Sequence, residues 1–478
     1  MTEEFRYQQL EKWLLKGLQQ QRWPLGERLP SIRTLCQLQQ VSKATVLHAY
    51  QRLEAMGLIE SRPKIGYFVL KPNQYDLAIP QTRGEVRPPA LATISEVFTD
   101  IMTRSAAFDL LSNQMPANQD LLNQAPSSQT PGLTALNRSI GRALRRQRSG
   151  QSQYYDPPTG DEGFREQLAL HYQRRGYACH RDQFCVTSGC QNALFLGLMA
   201  TCKKGDVVAV ESPCFYGMLQ LLDQLELQVV EIPSSVTEGM DMVALAEALE
   251  QWPIRACVVS PAFSTPTGAC LSDTARRTLL NLAEHYDLAI IEDDIYADTS
   301  FSQAPEPLKA LDQNQRVILC SSFSKSLSRD LRLGWIAGGR WQSKIQRIKL
   351  VTQLASSRYL QQGVADFMQE GGYMAHIRRY KLDLRQRRDQ LLQFLRHDWP
   401  PHIRFSQPNG GLALWLELEE DYNSLSVYRK ALSQGIVITP GALFSVSGQY
   451  HNCLRLSFAH NWTPARIKAL KQLAQLNG

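Results

Sequence analysis

One lysine, Lys325, stands in the run S-F-S-K-S-L-S-R-D-L-R-L-G that extends from Ser322 to Gly334. The apolar residues Val317-Ile318-Leu319-Cys320 lead into it, the pattern of a buried strand that ends in a short polar turn. A lysine at such a place loses part of its hydration. Its pKa falls, and the free amine can attack an aldehyde to form a Schiff base. Ser322 and Ser324 before it, and Arg332 after it, supply hydrogen-bond donors for a phosphate. An aldehyde that carries a phosphate is pyridoxal 5′-phosphate (PLP), and other parts of the chain must then hold its ring.

Candidates for that task follow several apolar runs. After Phe184–Val186 comes Thr187-Ser188-Gly189-Cys190-Gln191 and then a helical pattern; a glycine turn that opens a helix offers free backbone N–H groups to a phosphate. After Val207–Val210 comes Glu211-Ser212-Pro213-Cys214-Phe215-Tyr216, where an aromatic ring either packs in the core or stacks on a planar ligand. Pro261 to Gly268 forms a proline-rich turn that contains Thr265. Ile290-Ile291-Glu292-Asp293-Asp294-Ile295-Tyr296 ends an apolar run in three carboxylates. These are either solvated, or one of them faces a protonated pyridine nitrogen in a charge-assisted hydrogen bond. Such a bond keeps the ring cationic, the state in which PLP withdraws electrons.

The elements that position these residues are strand-like runs separated by amphipathic segments. The runs are Phe184–Val186, Val207–Val210, Val229–Ile232, Cys257–Val259, Leu288–Ile291, Val317–Cys320 and Trp335–Ala337. Segments such as Ala193–Thr201, Met242–Leu249 and Ala275–Ala283 separate many of them. The alternation predicts an α/β doubly wound domain with a largely parallel sheet, whose ligands bind beyond the carboxyl ends of the strands. The candidate residues fall there.

A chain of 478 residues with 43% apolar content predicts two or three folded domains. No apolar run of about 18 residues argues for a membrane span. The charged start MTEEFRYQQLEKW lacks a signal-peptide core, so the sequence reads as cytoplasmic. The ten cysteines are scattered singly without a C-x-x-C pair, which predicts reduced core thiols and no metal site. The net charge of +7 is unevenly spread: residues 1–70 hold ten Lys/Arg against six Asp/Glu, 10 − 6 = +4.

That N-terminal segment shows three helical patterns. Tyr7–Gln20 repeats Leu10, Trp13, Leu14 and Leu18 on one face. After the Pro24-Leu25-Gly26 break, Ser31 caps a helix bearing Ile32, Leu35 and Leu38. A tight connection at Val41-Ser42 leads to Lys43–Met56, with Val46, Leu47, Tyr50 and Leu53 inward. Two short strands around Arg62–Gly66 follow. Two helices, a tight turn and a β-hairpin make a winged helix-turn-helix, which places the start of its second helix in the DNA major groove. The expected DNA contacts are Ser42, Lys43, Ala44 and Thr45, with Lys64 at the wing tip and Arg28 and Arg33 near the backbone.

G-E-R-L-P-S-I-R, V-S-K-A-T-V, A-Y-Q-R-L-E-A-M-G-L-I and G-Y-F-V resemble the DNA-binding domain of GntR-family transcription regulators over residues 5–70. Many relatives open the recognition helix V-S-R-x-T; Lys43 keeps the charge without the bidentate fork toward guanine. From about residue 108, the ordered motifs S-G-C-Q, S-P-x-F, P-T-G, D-D-I-Y, S-F-S-K-x(6)-R-x-G, P-N-G-G-L-x-L-W and L-R-L-S-F-A resemble class I aminotransferases of PLP fold-type I. A GntR domain followed by such a domain resembles the MocR-type subfamily.

The resemblance implies a large doubly wound domain, a small α/β subdomain and PLP as cofactor. Lys325 becomes the internal aldimine lysine, Asp293 the partner of the pyridine nitrogen and Tyr296 that of the phenolic oxygen. Phe215 stacks on the ring. Gly189, Cys190, Gln191, Ser322, Ser324 and Arg332 hold the phosphate, the turn mainly by its backbone. Arg455 clamps an amino acid α-carboxylate, and Tyr155 reaches into the partner subunit's site. Thr265 stands where relatives usually have Asn, and Cys190 where they have Ser or Ala.

The predicted organisation is residues 1–70 for DNA binding, a semi-stiff proline-punctuated linker over 71–94, and 95–478 for the aminotransferase-like domain. Two arginine-rich helical stretches, around Arg138–Arg148 and Arg378–Arg388, read as solvated faces, or else as a supplementary DNA-backbone surface. Two functions compete. One is a homodimeric regulator that binds operator DNA and senses PLP or a small amino compound at Lys325. The alternative is an active aminotransferase that moves an amino group between an amino acid and a 2-oxo acid.

Overall fold

The computed structural model describes residues 6–19, 22–24, 26–55, 58–62, 65–69, 79–82, 84–91, 132–146, 155–400 and 402–476. Lys64, expected at the wing tip, lies outside them, as does half of the stretch read as linker.

Helices α1 (Arg6–Gln19), α2 (Ile32–Gln39) and α3 (Lys43–Ala55) precede the antiparallel pair β1 (Ile59–Arg62) and β2 (Gly66–Val69). Ser31 starts α2 by accepting the Thr34 N–H at 3.1 Å, and Ser42 starts α3 by accepting that of Thr45 at 3.1 Å. Leu10, Leu14, Leu35, Val46, Tyr50 and Leu53 form the core predicted from the helical spacing. Leu38 does not join it: 62% of its surface is exposed, because the short helix α2 buries only the stripe that faces α3. Arg28 forms a β-bridge with Phe68, which adds a third edge to the wing.

The second body begins with β3 (Ala90–Leu91), an edge strand antiparallel to the central sheet. The chain therefore enters the sheet inside the stretch read as linker. In order follow α4 (Leu133–Arg146), α5 (Glu162–Gln173), β4 (Cys185–Thr187), α6 (Cys190–Thr201), β5 (Val207–Ser212), α7 (Tyr216–Gln224), β6 (Gln228–Ser235), β7 (Gly239–Met240), α8 (Met242–Gln251), β8 (Ile254–Val259), α9 (Asp273–His285), β9 (Ala289–Asp293), β10 (Val317–Ser322) and β11 (Gly334–Ala337). The strand order is β3-β6-β5-β8-β9-β10-β11-β4. Strands β6, β5, β8, β9 and β10 run parallel, while β11 and β4 close the sheet antiparallel. Alternate residues feed opposite faces: Val208, Val210 and Ile291 pack with α6 and α7, whereas Ala209, Val230 and Ile290 pack with α8 and α9.

Helices α10 (Gln342–Thr352), α11 (Arg358–Gln369) and the 27-residue α12 (Gly372–Asp398) lead to a small subdomain. There β12 (Arg404–Phe405), β13 (Ala413–Glu417), β14 (Thr439–Pro440) and β15 (Cys453–Ser457) form an antiparallel sheet in the order β12-β13-β15-β14, covered by α13 (Ser424–Ser433) and α14 (Pro464–Gln475). Among the described residues no helix is long and apolar enough to cross a membrane, and no cluster of His, Cys, Asp or Glu is placed to hold a metal ion.

The two arginine-rich helices behave differently. On α4, Arg142 pairs with Glu370, just past the end of α11, and Arg146 with Asp366 of α11. On α12, Arg385 and Arg388 are buried rather than solvated, because that helix is covered along much of its length. Truncating Leu35 removes a fully buried side chain from a small core, so Leu35→Ala is expected to destabilise the N-terminal body by about 2–5 kcal/mol. Hydrogen exchange of the α1 to β2 amides in the full chain would show the loss, with the sheet amides of the second body unchanged.

Candidate functional site

Register assembles the site. Asp293 ends β9 opposite Cys320 of β10; Ser322 lies opposite Gly334 of β11, and Gly334 opposite Thr187 of β4. The carboxylate, the approach to Lys325 and the glycine turn therefore emerge at one edge of the sheet, although they lie far apart in sequence. This is the carboxyl end of the parallel strands, where an open α/β sheet leaves its crevice.

Asp293 is buried and accepts two bonds, from Cys190 Sγ and from Ile295 N, both at 3.2 Å and both on Oδ1. This leaves Oδ2 for a further donor. Burial is the main reason that its carboxyl is pushed up to about 6, against the two hydrogen bonds. Lys325 moves the other way. Enclosure first, then Arg329 and Arg455, hold its amine well below the usual lysine range, and Asp293 only partly offsets them. A neutral amine is thus favoured beside a carboxylate that gains from a cationic partner. Tyr296 is buried, and burial raises its hydroxyl pKa so that it remains a donor.

Gly189 and Gly334 make the Thr187–Gln191 turn possible. Gly189 has φ +94°, and a Cβ there would stand 2.9 Å from Arg332 Nη2; a Cβ on Gly334 would stand 2.5 Å from the Gly189 carbonyl carbon. Arg332, itself left-handed at φ 47°, donates from Nη2 to Ser188 O at 2.9 Å and so lies against the turn. Ser322 Oγ accepts the Ser324 N–H at 3.3 Å. The Gln191 amide donates to Gly217 O at 2.6 Å, so it braces the start of α7, while the turn keeps its backbone N–H groups for an anion. The side chain of Cys190 faces Asp293 instead of the turn's mouth.

Phe215 packs over Gly217 and beside Tyr216, with ring centroids 5.0 Å apart. Thr265 Oγ1 is buried next to Tyr296 and meets no partner in hydrogen-bond geometry. Arg455 is buried between Tyr216 and Phe444, its guanidinium 5.5 and 5.3 Å from their ring centroids, and donates to Thr439 Oγ1 at 3.3 Å. Tyr155 is set apart, 77% exposed, on a loop held by Arg358 Nε donating to Asp156 at 2.7 Å and by Lys349 Nζ on Pro158 O. An open Asp293 oxygen, an orphaned Thr265 hydroxyl and an arginine-backed glycine turn fit the pyridine nitrogen, phenolic oxygen and phosphate of PLP. Sequence reasoning passed over Arg329, whose signal was its position four residues after Lys325. It also passed over Ser326, held by Tyr373 and His376 from a helix with no motif.

On the DNA-binding body, Ser42, Lys43 and Ala44 are exposed, as are Arg28 and Arg33. The Ser42 and Thr45 hydroxyls lie 2.8 Å apart and bond each other at the helix cap. Lys43 therefore has the freest long donor at the start of α3.

Fold and site together define a GntR-type DNA-binding domain fused to an aminotransferase-like domain. The bacterial regulatory protein gntR family matches residues 6–69, and aminotransferase class I and II matches residues 127–471. The HTH-type transcriptional regulators YjiR and YdcR of Escherichia coli K12 are 36% and 33% identical over 473 residues, in each case 98% of both chains. Among solved structures, the kynurenine aminotransferase of Pyrococcus horikoshii is 27% identical, with a TM-score of 0.67 over 76% of this chain and 94% of that one. The chain belongs to the MocR-type subfamily of GntR regulators, an HTH-type transcriptional regulator with an aminotransferase-like domain.

Holding a pyridinium at Asp293 would require its carboxylate, and that carboxyl protonates as pH falls through about 6. PLP affinity, followed by fluorescence titration between pH 8 and 5, is expected to hold steady above about 6. Below it the affinity should drop by up to about tenfold per unit. Asp293→Asn should bind weakly at all pH values and abolish this dependence.

Proposed function

We propose that this protein is a sequence-specific regulator that binds PLP at Lys325 and turns occupancy of that site, by PLP or a small amino compound, into a change in operator binding. The observation that carries this reading is the pairing, in one chain, of an exposed recognition-helix start with an enclosed Lys325–Asp293–Tyr296 constellation. The P. horikoshii enzyme was solved in complex with PMP, which supports a pyridoxal-type cofactor.

When bound, PLP supplies an aldehyde for Lys325 and an electron-withdrawing ring. The chain's residues supply everything else. Asp293 Oδ2 accepts the ring N–H, and Tyr296 with Thr265 donates toward the phenolic oxygen. Phe215 covers the ring. The backbone of Gly189, Cys190 and Gln191, with Ser322, Ser324 and Arg332, neutralises the phosphate. Arg455 would orient the carboxylate of an incoming amino compound, whose amine would then stand near that of Lys325. Releasing or re-engaging the Lys325 amine is then a two-state event that DNA binding can read.

A homodimer goes with this reading. Leu350, Val351, Leu354 and Tyr359 are exposed along α10 and the start of α11, near Tyr155 across the Asp156–Arg358 pair. That apolar edge suits a second copy, and two winged helices double the DNA contacts. A cytoplasmic location follows from operator binding. The same site residues favour a second reading, an active aminotransferase, since Lys325, Asp293, Tyr296 and Arg455 are all present.

Lys325→Ala should abolish the visible absorption of lysine-bound PLP and multiple-turnover transfer, if there is any. Operator affinity measured by fluorescence anisotropy at fixed salt should differ between PLP-loaded and PLP-free wild type; equal affinities would sink the sensing role. Sustained conversion of an amino acid and a 2-oxo acid would favour the second reading. Lys43→Ala is expected to weaken operator binding by about 1–3 kcal/mol and relax the preference at one base pair, with PLP absorption unchanged.

A further inference from the structure

The helix α12 touches both ends of the molecule's business. At its start, the Tyr373 hydroxyl lies 2.9 Å from Ser326 Oγ and donates to Asp298 Oδ2 at 2.6 Å, while His376 Nε2 lies 2.6 Å from Ser326 O. Ser326 is buried and directly follows Lys325. Asp298 is braced in turn by His171 at 3.2 Å. The lysine turn is thus clamped from outside by two side chains of one helical face, three residues apart.

About 14–20 Å further along the same helix, at the 1.5 Å rise per residue, stand Arg385, Arg388 and Asp389. Arg388 donates to Pro408 O and to Asp389 Oδ1, both at 2.6 Å, and its guanidinium lies 5.0 Å from the Phe301 ring centroid. Pro408 packs directly against Gly268 of the turn that carries Thr265. On its outer side this part of α12 packs against α3. His48 of α3 feels the charges of Arg385 and Asp389, and Arg388 is repelled by Arg52, which pairs with Glu11 of α1. Burial, then Arg385 and Arg52, push His48 down to about 4, so it meets α12 as a neutral ring. The face of α3 that packs on α12 lies toward its C-terminal half, and Ser42, Lys43 and Ala44 remain exposed for DNA.

We propose that α12 is the docking surface for the recognition helix and couples it to the Lys325 turn: its first turns clamp Ser326, and its middle turns seat α3 beside His48. The coupling rests on the reading of Lys325 as the ligand-responsive residue. A helix shifts as a unit, because its backbone bonds tie each turn to the next. A change in the Lys325 turn that moves Tyr373 and His376 therefore also changes the seat of α3. Linkage requires the reverse effect, so DNA that repositions α3 alters the lysine turn.

Hydrogen exchange on the full chain tests this. In wild type, PLP should change exchange over both 372–380 and 46–55. In His48→Ala the change over 372–380 should persist while that over 46–55 falls by at least half; Asp389→Asn serves as a second variant that leaves the DNA-binding body untouched. His376→Ala, which releases Ser326 without touching α3, should raise exchange over 46–55 at least twofold in the PLP-free protein. No response of 46–55 to His376→Ala overturns the coupling, whether or not PLP binds. If 46–55 responds but operator affinity is indifferent to PLP, the sensing role falls and the coupling stands.

Discussion

Burying a carboxylate at the end of β9 is the constraint on which the rest of the site depends. Asp293 loses its water, and two bonds on one oxygen do not replace it fully, which is why its carboxyl is pushed up to about 6. A few residues away in space, Lys325 meets the opposite difficulty, an amine enclosed among two arginines. Each group is therefore held in the state that a cationic aromatic ring bearing an aldehyde would relieve. The cysteine at position 190 belongs to this arrangement: a thiol is a weak donor, so it steadies Oδ1 while drawing off little of the charge that Oδ2 can offer.

The surrounding scaffold keeps these groups from relaxing. Parallel strands buried on both faces fix Asp293 and the approach to Lys325, and the antiparallel return of β11 brings Gly334 under Gly189. The glycine pair permits a backbone approach that no side chain allows. Arg332 accepts a left-handed backbone there, a conformation that costs about 1–2 kcal/mol and places its guanidinium on the glycine turn. Strain of that kind persists where neighbouring contacts over-determine it.

The DNA-binding body is organised by simpler means: two serine caps, a small core and a short wing. It does not stand free of the larger body, since α3 rests on α12. That contact gives a small domain additional buried surface, and it places the second helix of the helix-turn-helix one helix away from the lysine turn.

Much of this was legible in the sequence, for a physical reason. Strand and helix periodicity, serine caps and the glycine turn are local patterns, and Lys325, Asp293, Tyr296 and Arg332 lie at predicted strand ends in the order that the class I motifs require. Where one residue's environment depends on distant partners, the sequence by itself was silent or misleading. Leu38 has the spacing of a core residue and is exposed, because α2 is short. Arg385 and Arg388 look like a solvated face and are buried, because the small subdomain and α3 cover α12. Residue types and their order determined which chemistry the site residues are suited to and that the chain carries a winged helix. Only the tertiary structure decided which Asp293 oxygen is open, what clamps Ser326 and where the recognition helix rests. Those follow from sheet register and helix packing between segments about fifty to several hundred residues apart, to which no local pattern responds.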